Sequence, residues 1–299
     1  MIGFLTRALA ALAAVAALFL IAGGASAQTR LPVVATFSIL ADFVREVGGD
    51  RVAVTSLVGP NADAHAYAPT PDDARRIAAA RLVLVNGLGF EGWLSRLADA
   101  AARGAPTVVA SRGVRVRARE DDPKRPDPHA WHDVANAKRY VTNIRDALAA
   151  ADPAAAAVYA ENAAAYLAQL DALDAEVREA IGRIPPARRR VITSHDAFGY
   201  FGAAYGLAFV APEGVAADAE ASARDVARII AQIRRERIPA VFLENIKDPR
   251  LMQRIAHESG ARIGGTLYSD ALSGPDGPAP TYIAMMRSNL RALAAALAE

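Results

Sequence analysis

Residues 154–183, AAAAVYAENAAAYLAQLDALDAEVREAIGR, decide the fold of this 299-residue chain. The run contains no proline and no glycine before Gly182, and alanine, leucine and glutamate dominate it. It therefore predicts one helix of roughly 45 Å at 1.5 Å per residue, which Pro185 and Pro186 end. Its apolar residues do not keep a regular heptad. This argues against a coiled-coil dimer and favours a scaffold helix that packs along two halves of one molecule.

Short β-rich runs alternate with helical stretches on both sides of this helix. In the first half, the predicted strands are 32–37, 52–58, 82–86 and 107–110, and the predicted helices are 40–47, 71–80, 91–103 and 135–150. In the second half, the predicted strands are 190–194, 208–211, 240–244 and 262–266, and the predicted helices are 198–205, 222–235, 249–259 and 282–298. Such alternation predicts crossover connections and parallel sheets. We expect an α/β fold with two lobes, 28–152 and 185–299, joined by a rigid linking helix at 153–184.

The amino terminus is typical of a secretory signal peptide. Arg7 is the only charge in residues 1–27, an apolar run covers 8–22, and Ala25 to Ala27 offer a small-residue cleavage site. A permanent membrane anchor is the alternative, but it needs about 20 apolar residues, and this run is shorter and rich in alanine. We expect cleavage after Ala27 and a soluble periplasmic protein, which begins at Gln28.

Composition excludes several classes of protein. A hydrophobic content of 53% with 22% charged residues excludes a disordered chain. The net charge of +2 gives no support to a nucleic-acid partner. The chain has no cysteine, which excludes disulfides and thiolate metal sites and leaves no cysteine for a lipid anchor. We expect a monomer.

The chain contains only five histidines, which are His65, His129, His132, His195 and His257. Three of them, His65, His129 and His195, stand in predicted loops, as does Asp270. At least three of these four positions follow predicted strands. Ligands of parallel α/β proteins gather outside the carboxyl ends of the strands. The separations of 64, 66 and 75 residues form no local motif, so only the fold can bring these four together. By itself, a lone histidine in a loop is more often a solvated or hydrogen-bonded residue than a metal ligand.

Several blocks in order along the chain resemble the zinc- and manganese-binding receptors of bacterial ABC importers. They are VVATFSILADFVREVGGD (33–50), HAYAPTP (65–71), VLVNGLGFEGWL (83–94), DPHAWHD (127–133), SHDAFGYFGAAYGL (194–207), VFLEN (241–245) and TYIAMMRSNL (281–290). The resemblance implies two small α/β lobes joined by one rigid helix, with a metal site in the cleft. It also implies four metal ligands, two from each lobe, which map to His65, His129, His195 and Asp270. The partner would be an ABC permease in the inner membrane.

Three histidines and one aspartate favour zinc, because imidazole suits zinc and manganese prefers more oxygen ligands. Manganese stays open if Asp270 binds through both oxygens. Many zinc receptors of this type carry a histidine-rich loop, but residues 112–128 contain no histidine. Loading would then occur from solution or from a separate metallochaperone. For His132 we expect a position at the surface or behind the ligands.

Two other functions compete with a metal receptor. A secreted zinc hydrolase needs an open coordination position and a general base, for which Glu244 is the only candidate, and the chain has no HExxH motif. Alternatively, Glu244 accepts a hydrogen bond from a ligating histidine or caps a helix. A receptor for a siderophore or a vitamin on a related scaffold is disfavoured by the paired placement of the histidines.

Overall fold

A computed structural model describes residues 29–97, 105–120, 122–215 and 221–298. The predicted signal peptide and its cleavage position lie outside these residues. Part of the helix expected at 91–103 also lies outside them, and the described part contains a single 3-10 turn, Leu94–Leu97. Within the described ranges, no helix has the length and hydropathy needed to cross a membrane.

The first lobe is built on a parallel four-stranded sheet with the order β2-β1-β3-β4. Its strands are β1 (Leu31–Phe37), β2 (Val52–Val58), β3 (Leu82–Val85) and β4 (Thr107–Val109), and its helices are α1 (Ser38–Gly48), α2 (Pro71–Ala79) and α3 (Val134–Ala151). The central strand β3 is LVLV and is buried throughout. A continuous apolar run is expected there, because helices cover both faces of a parallel sheet.

The second lobe repeats this topology with the strand order β6-β5-β7-β8, again parallel. Its strands are β5 (Arg190–Ile192), β6 (Ala208–Val210), β7 (Ala240–Glu244) and β8 (Arg262–Leu267). Its helices are α5 (Gly199–Tyr205), α6 (Ala223–Glu236), α7 (Arg250–Ser259) and α8 (Tyr282–Leu297), and the helix between the lobes is α4 (Ala156–Gly182). The α/β architecture with two lobes that the sequence predicts is therefore correct.

The linking helix α4 covers Ala156–Gly182, and a 3-10 turn at Pro153–Ala155 precedes it. It packs against α1 and α3 of the first lobe and against α5 and α8 of the second. One buried stripe runs along it, formed by Tyr159, Ala163, Tyr166, Leu170, Leu173, Val177 and Ile181. Successive members of this stripe are three or four residues apart, a spacing that is hard to see in the sequence because alanines occur on every face of the helix. It faces the two lobes, as a scaffold helix should.

Four predicted strands, β3 to β6, end one or two residues earlier than expected, and a glutamate explains two of these cases. β3 stops at Val85 because the backbone N–H of Asn86 donates to Glu91 Oε1 instead of continuing the sheet. β5 stops at Ile192, and the N–H of Ser194 donates to Glu244 Oε1. In both lobes, a glutamate carboxylate therefore shapes the loop that leaves a central strand.

Candidate metal centre

All four predicted ligands lie in loops between the two sheets, and their side chains are buried. His195 and Asp270 each stand three residues beyond the end of a strand, β5 and β8 respectively. His65 lies in the connection between β2 and α2. His129 directly precedes the 3-10 turn Ala130–His132 that leads into α3. Each lobe thus contributes two of the four residues.

The structure brings one ligand atom of each of these residues within 4.8 Å of the others. His65 Nε2 lies 3.1 Å from His129 Nε2 and 3.3 Å from Asp270 Oδ2. Asp270 Oδ2 is also 3.2 Å from His195 Nε2, and Asp270 Oδ1 is 3.4 Å from His129 Nε2. The three imidazoles therefore direct the same ring nitrogen toward one carboxylate.

The donor set fits a divalent cation. Both carboxylate oxygens of Asp270 and the Nε2 of His195 are buried and have no hydrogen-bond partner among the described residues. Buried polar atoms without partners are costly, unless a ligand satisfies them. Four donors at about 2.0–2.1 Å from one tetrahedral centre lie roughly 3.3 Å apart. Four of the separations, 3.1 to 3.4 Å, agree with this spacing, and all four ligand atoms lie within 4.8 Å of one another.

Two further carboxylates stand behind the histidines. Asp127 Oδ1 lies 2.8 Å from His129 Nδ1, and Glu244 Oε2 lies 2.7 Å from His195 Nδ1. Such partners orient an imidazole and raise its basicity as a ligand. Glu244 is therefore the expected partner of a histidine, and it does not cap a helix. Asp127 in this role is not foreseen from the sequence, although its place two residues before His129 is the signal that could have indicated it.

The same charges control protonation of the site. Burial alone would lower the pKa of His129, but Asp270 and Asp127 raise it to about 9. Burial likewise opposes protonation of His195, yet Glu244 and Asp270 hold its pKa well above its ordinary value. Burial lowers the pKa of His65. A cation that binds here consequently displaces protons from His129 and His195.

Contacts between the lobes hold the loops of the candidate ligands together. Trp131 Nε1 donates to the carbonyl of Ser269, over 3.0 Å, and so ties the His129 segment to the residue before Asp270. The Ser38 hydroxyl accepts from the N–H of Leu272 at 2.9 Å. The site is therefore assembled by tertiary contacts on both sides of the cleft.

The two remaining histidines lie outside the cluster. His132 is fully buried between Trp131 and Phe198, so the surface position considered for it is wrong. Burial lowers its pKa to about 3, which keeps it neutral. His257 is exposed on α7.

Comparisons with known proteins point to one family. The family described as zinc-uptake complex component A, periplasmic (ZnuA), matches residues 33–296. The iron-binding protein YfeA of Yersinia pestis is 36% identical, over 89% of this chain and 86% of the relative. The manganese-binding lipoprotein MntA of Halalkalibacterium halodurans is 34% identical, over 90% of this chain and 89% of the relative.

Solved structures agree with this assignment. The periplasmic zinc-binding protein TroA of Treponema pallidum superposes with a TM-score of 0.87 at 31% identity, and the match covers 91% of this chain and 100% of that one. A manganese-bound periplasmic metal-binding protein of Candidatus Liberibacter asiaticus gives a TM-score of 0.80 at 32% identity, over 88% and 97% of the two chains. This chain therefore belongs to the periplasmic component A family of zinc-uptake complexes, which comprises metal-binding receptors of ABC transporters and not enzymes.

Proposed function

We propose that this protein captures Zn²⁺ in the periplasm with His65, His129, His195 and Asp270, and delivers the ion to an ABC permease in the inner membrane. The observation that carries the proposal is the convergence of three imidazole nitrogens on one buried carboxylate. All four positions of a tetrahedral shell come from the protein, so the ion is held and not used for chemistry.

Zinc is favoured over manganese and iron by the donor set. Three of the four donors are imidazole nitrogens, and a site of this kind binds zinc more tightly than manganese or iron(II). The carboxylates behind His129 and His195 strengthen these nitrogen ligands further. The relatives are named for iron, manganese and zinc, so kinship alone does not select the cargo.

Manganese is the second candidate, and one observation favours it. Both oxygens of Asp270 face the imidazoles, Oδ1 toward His129 and Oδ2 toward His65 and His195. Binding through both oxygens would add a fifth donor and make the site richer in oxygen, as manganese prefers.

A hydrolase is not supported by the same geometry. Glu244, the one base considered for it, accepts the N–H groups of Ser194 and His195 through Oε1 and contacts His195 through Oε2. Both of its oxygens therefore face the His195 segment. No observation on the site supports a separate metallochaperone, and the proposal does not include one. The proposal does include export by a signal peptide at residues 1–27.

The test is metal titration of the metal-free protein. We expect one Zn²⁺ per chain, which outcompetes Mn²⁺, and strongly reduced affinity in His195→Ala and Asp270→Ala. The matched control is His257→Ala, which removes an exposed histidine outside the cluster and should bind like the wild type.

Three results would contradict parts of the proposal. Unchanged zinc affinity in Asp270→Ala would exclude the four-ligand site. Manganese bound in preference to zinc would change the cargo but keep the receptor. Absence of tight binding of either ion to the wild type would exclude the receptor itself.

A further inference from the structure

Asp63 joins the loop that carries His65 to the second lobe. Its Oδ1 accepts the backbone N–H of His65 at 2.8 Å and that of Ala66 at 3.4 Å. Its Oδ2 forms an ion pair of 2.8 Å with Lys247 Nζ. One carboxylate thus holds the ligand loop with one oxygen and the opposite lobe with the other.

Lys247 is anchored next to the ligands of its own lobe. It follows β7, and its backbone N–H donates to the carbonyl of Glu244, the residue behind His195. The side chains of Lys247 and Asp63 are only 14% and 18% exposed. Burial opposes the charge on Lys247, but Asp63 holds the pKa of its ammonium group above the ordinary value. Glu213 Oε2 lies 3.9 Å from the same ammonium group.

A second contact supports the same attachment. Asn245 Nδ2 donates to Asn61 Oδ1 at 3.1 Å, and the N–H of Asn61 donates to the carbonyl of Leu272 at 2.9 Å. Asn61 has a φ of 54°, a left-handed conformation that asparagine tolerates better than most residues. The turn that starts the ligand loop is therefore also held against the second lobe.

His65 is the ligand at the solvent side of the cluster. Its side chain is 4% exposed, whereas those of His129, His195 and Asp270 are fully buried. An ion can therefore leave with the least rearrangement where the His65 loop separates from the second lobe.

We infer that the Asp63–Lys247 ion pair is a latch that holds the His65 loop on the second lobe and thereby controls how fast bound metal is released. The inference rests on the proposed function and deepens it. Asp63 and Lys247 are positioning residues, since neither contributes an atom to the four-ligand cluster. Hydrogen bonds from His65 and Ala66 transmit the attachment to the ligand loop.

Release kinetics test the latch. Zn²⁺-loaded protein is mixed with excess chromogenic chelator in a stopped-flow instrument, and the first-order release rate is measured. Lys247→Gln and Asp63→Asn should each release zinc roughly three- to tenfold faster, the range expected for loss of one partly buried ion pair. Asparagine keeps an oxygen that accepts the N–H of His65, so the effect reports the ion pair. The thermal stability of the metal-free variants should stay near that of the wild type.

The matched control is Arg250→Gln. Arg250 pairs with Asp248 one residue beyond Lys247, but its side chain is 86% exposed and the pair lies outside the ligand loop. The double variant Asp63→Asn/Lys247→Gln should release zinc as fast as the faster single variant, because both substitutions break one interaction.

Wild-type release rates in both single variants would overturn the latch, and so would an equal acceleration in Arg250→Gln. Multiplication of the two single effects in the double variant would also overturn it. A wild-type protein that binds no zinc would instead overturn the proposed function on which the latch depends. The two failures are thus distinguished by the wild type alone.

Discussion

At the scale of single residues, the candidate site is a set of imidazoles held by carboxylates. Glu244 and Asp127 fix the orientation of His195 and His129, so that each ring directs Nε2 toward Asp270. Burial opposes the charges on Glu244 and Asp270, but the histidines hold the pKa of both carboxyl groups below their ordinary values. Charge balance in the cluster therefore depends on each of its members.

Replacement of Glu244 by glutamine tests this arrangement. The amide retains an oxygen for the N–H groups of Ser194 and His195 but removes the negative charge behind the imidazole. We expect the zinc affinity of Glu244→Gln to fall about 10- to 100-fold in a competition titration. Glu179→Gln, on the exposed face of α4, is the control. An unchanged affinity in Glu244→Gln would show that this carboxylate does not support the ligand.

At the scale of elements, the segment that contains Arg117 and Asp127 packs on the second lobe. From the sequence, only the lack of histidine in residues 112–128 was noted. An antiparallel bridge joins Ala118 to Pro126, and the segment rests on Tyr200 of α5 in the other lobe. The Tyr200 hydroxyl donates to the carbonyl of Asp127 at 3.0 Å and accepts from the N–H of Arg117, also at 3.0 Å. This hydroxyl therefore fixes the residue that orients His129.

Tyr200→Phe removes both hydrogen bonds from a buried position. We expect the free energy of unfolding to fall by about 1–3 kcal/mol, because the carbonyl and the N–H lose their partner. Zinc affinity should fall several-fold, since Asp127 is less firmly held. Chemical denaturation and titration measure the two effects. Tyr268→Phe is the control, because no hydrogen bond of its hydroxyl is seen among the described residues, and a loss of equal size there would contradict the explanation.

At the scale of the whole molecule, one hydrophobic core extends from the first lobe along α4 into the second. Phe43 of α1 packs on Tyr282 of α8 with ring centroids 4.7 Å apart, and the Tyr282 hydroxyl donates to the carbonyl of Trp131. A continuous packed core resists large movements between lobes. The continuous core is therefore more consistent with metal release by movement of the His65 loop, as the latch requires, than with wide opening of a hinge between the lobes.

Metal binding and pH should act together on stability. In the metal-free fold, the pKa of His129 is raised from an ordinary 6.5 to about 9. Its contribution to the stability of the metal-free protein is therefore fully present below pH 6.5 and is lost as the pH rises through 9. Metal requires the neutral imidazole, so zinc affinity should increase over the same window.

The increase in melting temperature caused by zinc should consequently be larger at pH 8 than at pH 6. With free zinc at 100 times the dissociation constant, the stabilisation is about 2.7 kcal/mol. Thermal unfolding at fixed free zinc, buffered by a chelator at each pH, measures the difference. The Asp270→Ala variant supplies the baseline. A zinc-dependent shift that is equal at both pH values would contradict proton displacement at the site.

The sequence by itself determined most of the elements and their order, although the described part of the helix expected at 91–103 is only a 3-10 turn. Pro71, with carboxylates after it, marks the start of α2, and the structure adds a capping box between Thr70 and Asp73. The run at 154–183 gives α4, and alternating strands and helices give two parallel sheets, because these patterns depend on neighbours in the chain. They also placed the candidate ligands in loops.

Only the tertiary structure decided which side chains meet. Asp270 lies 205 residues after His65, and no local pattern shows that their side chains come within 3.3 Å. The Asp127–His129 contact, the role of Tyr200 and the Asp63–Lys247 latch were not predicted for the same reason. Each depends on loops whose course follows from packing between lobes, and such contacts leave no periodic signal in the chain.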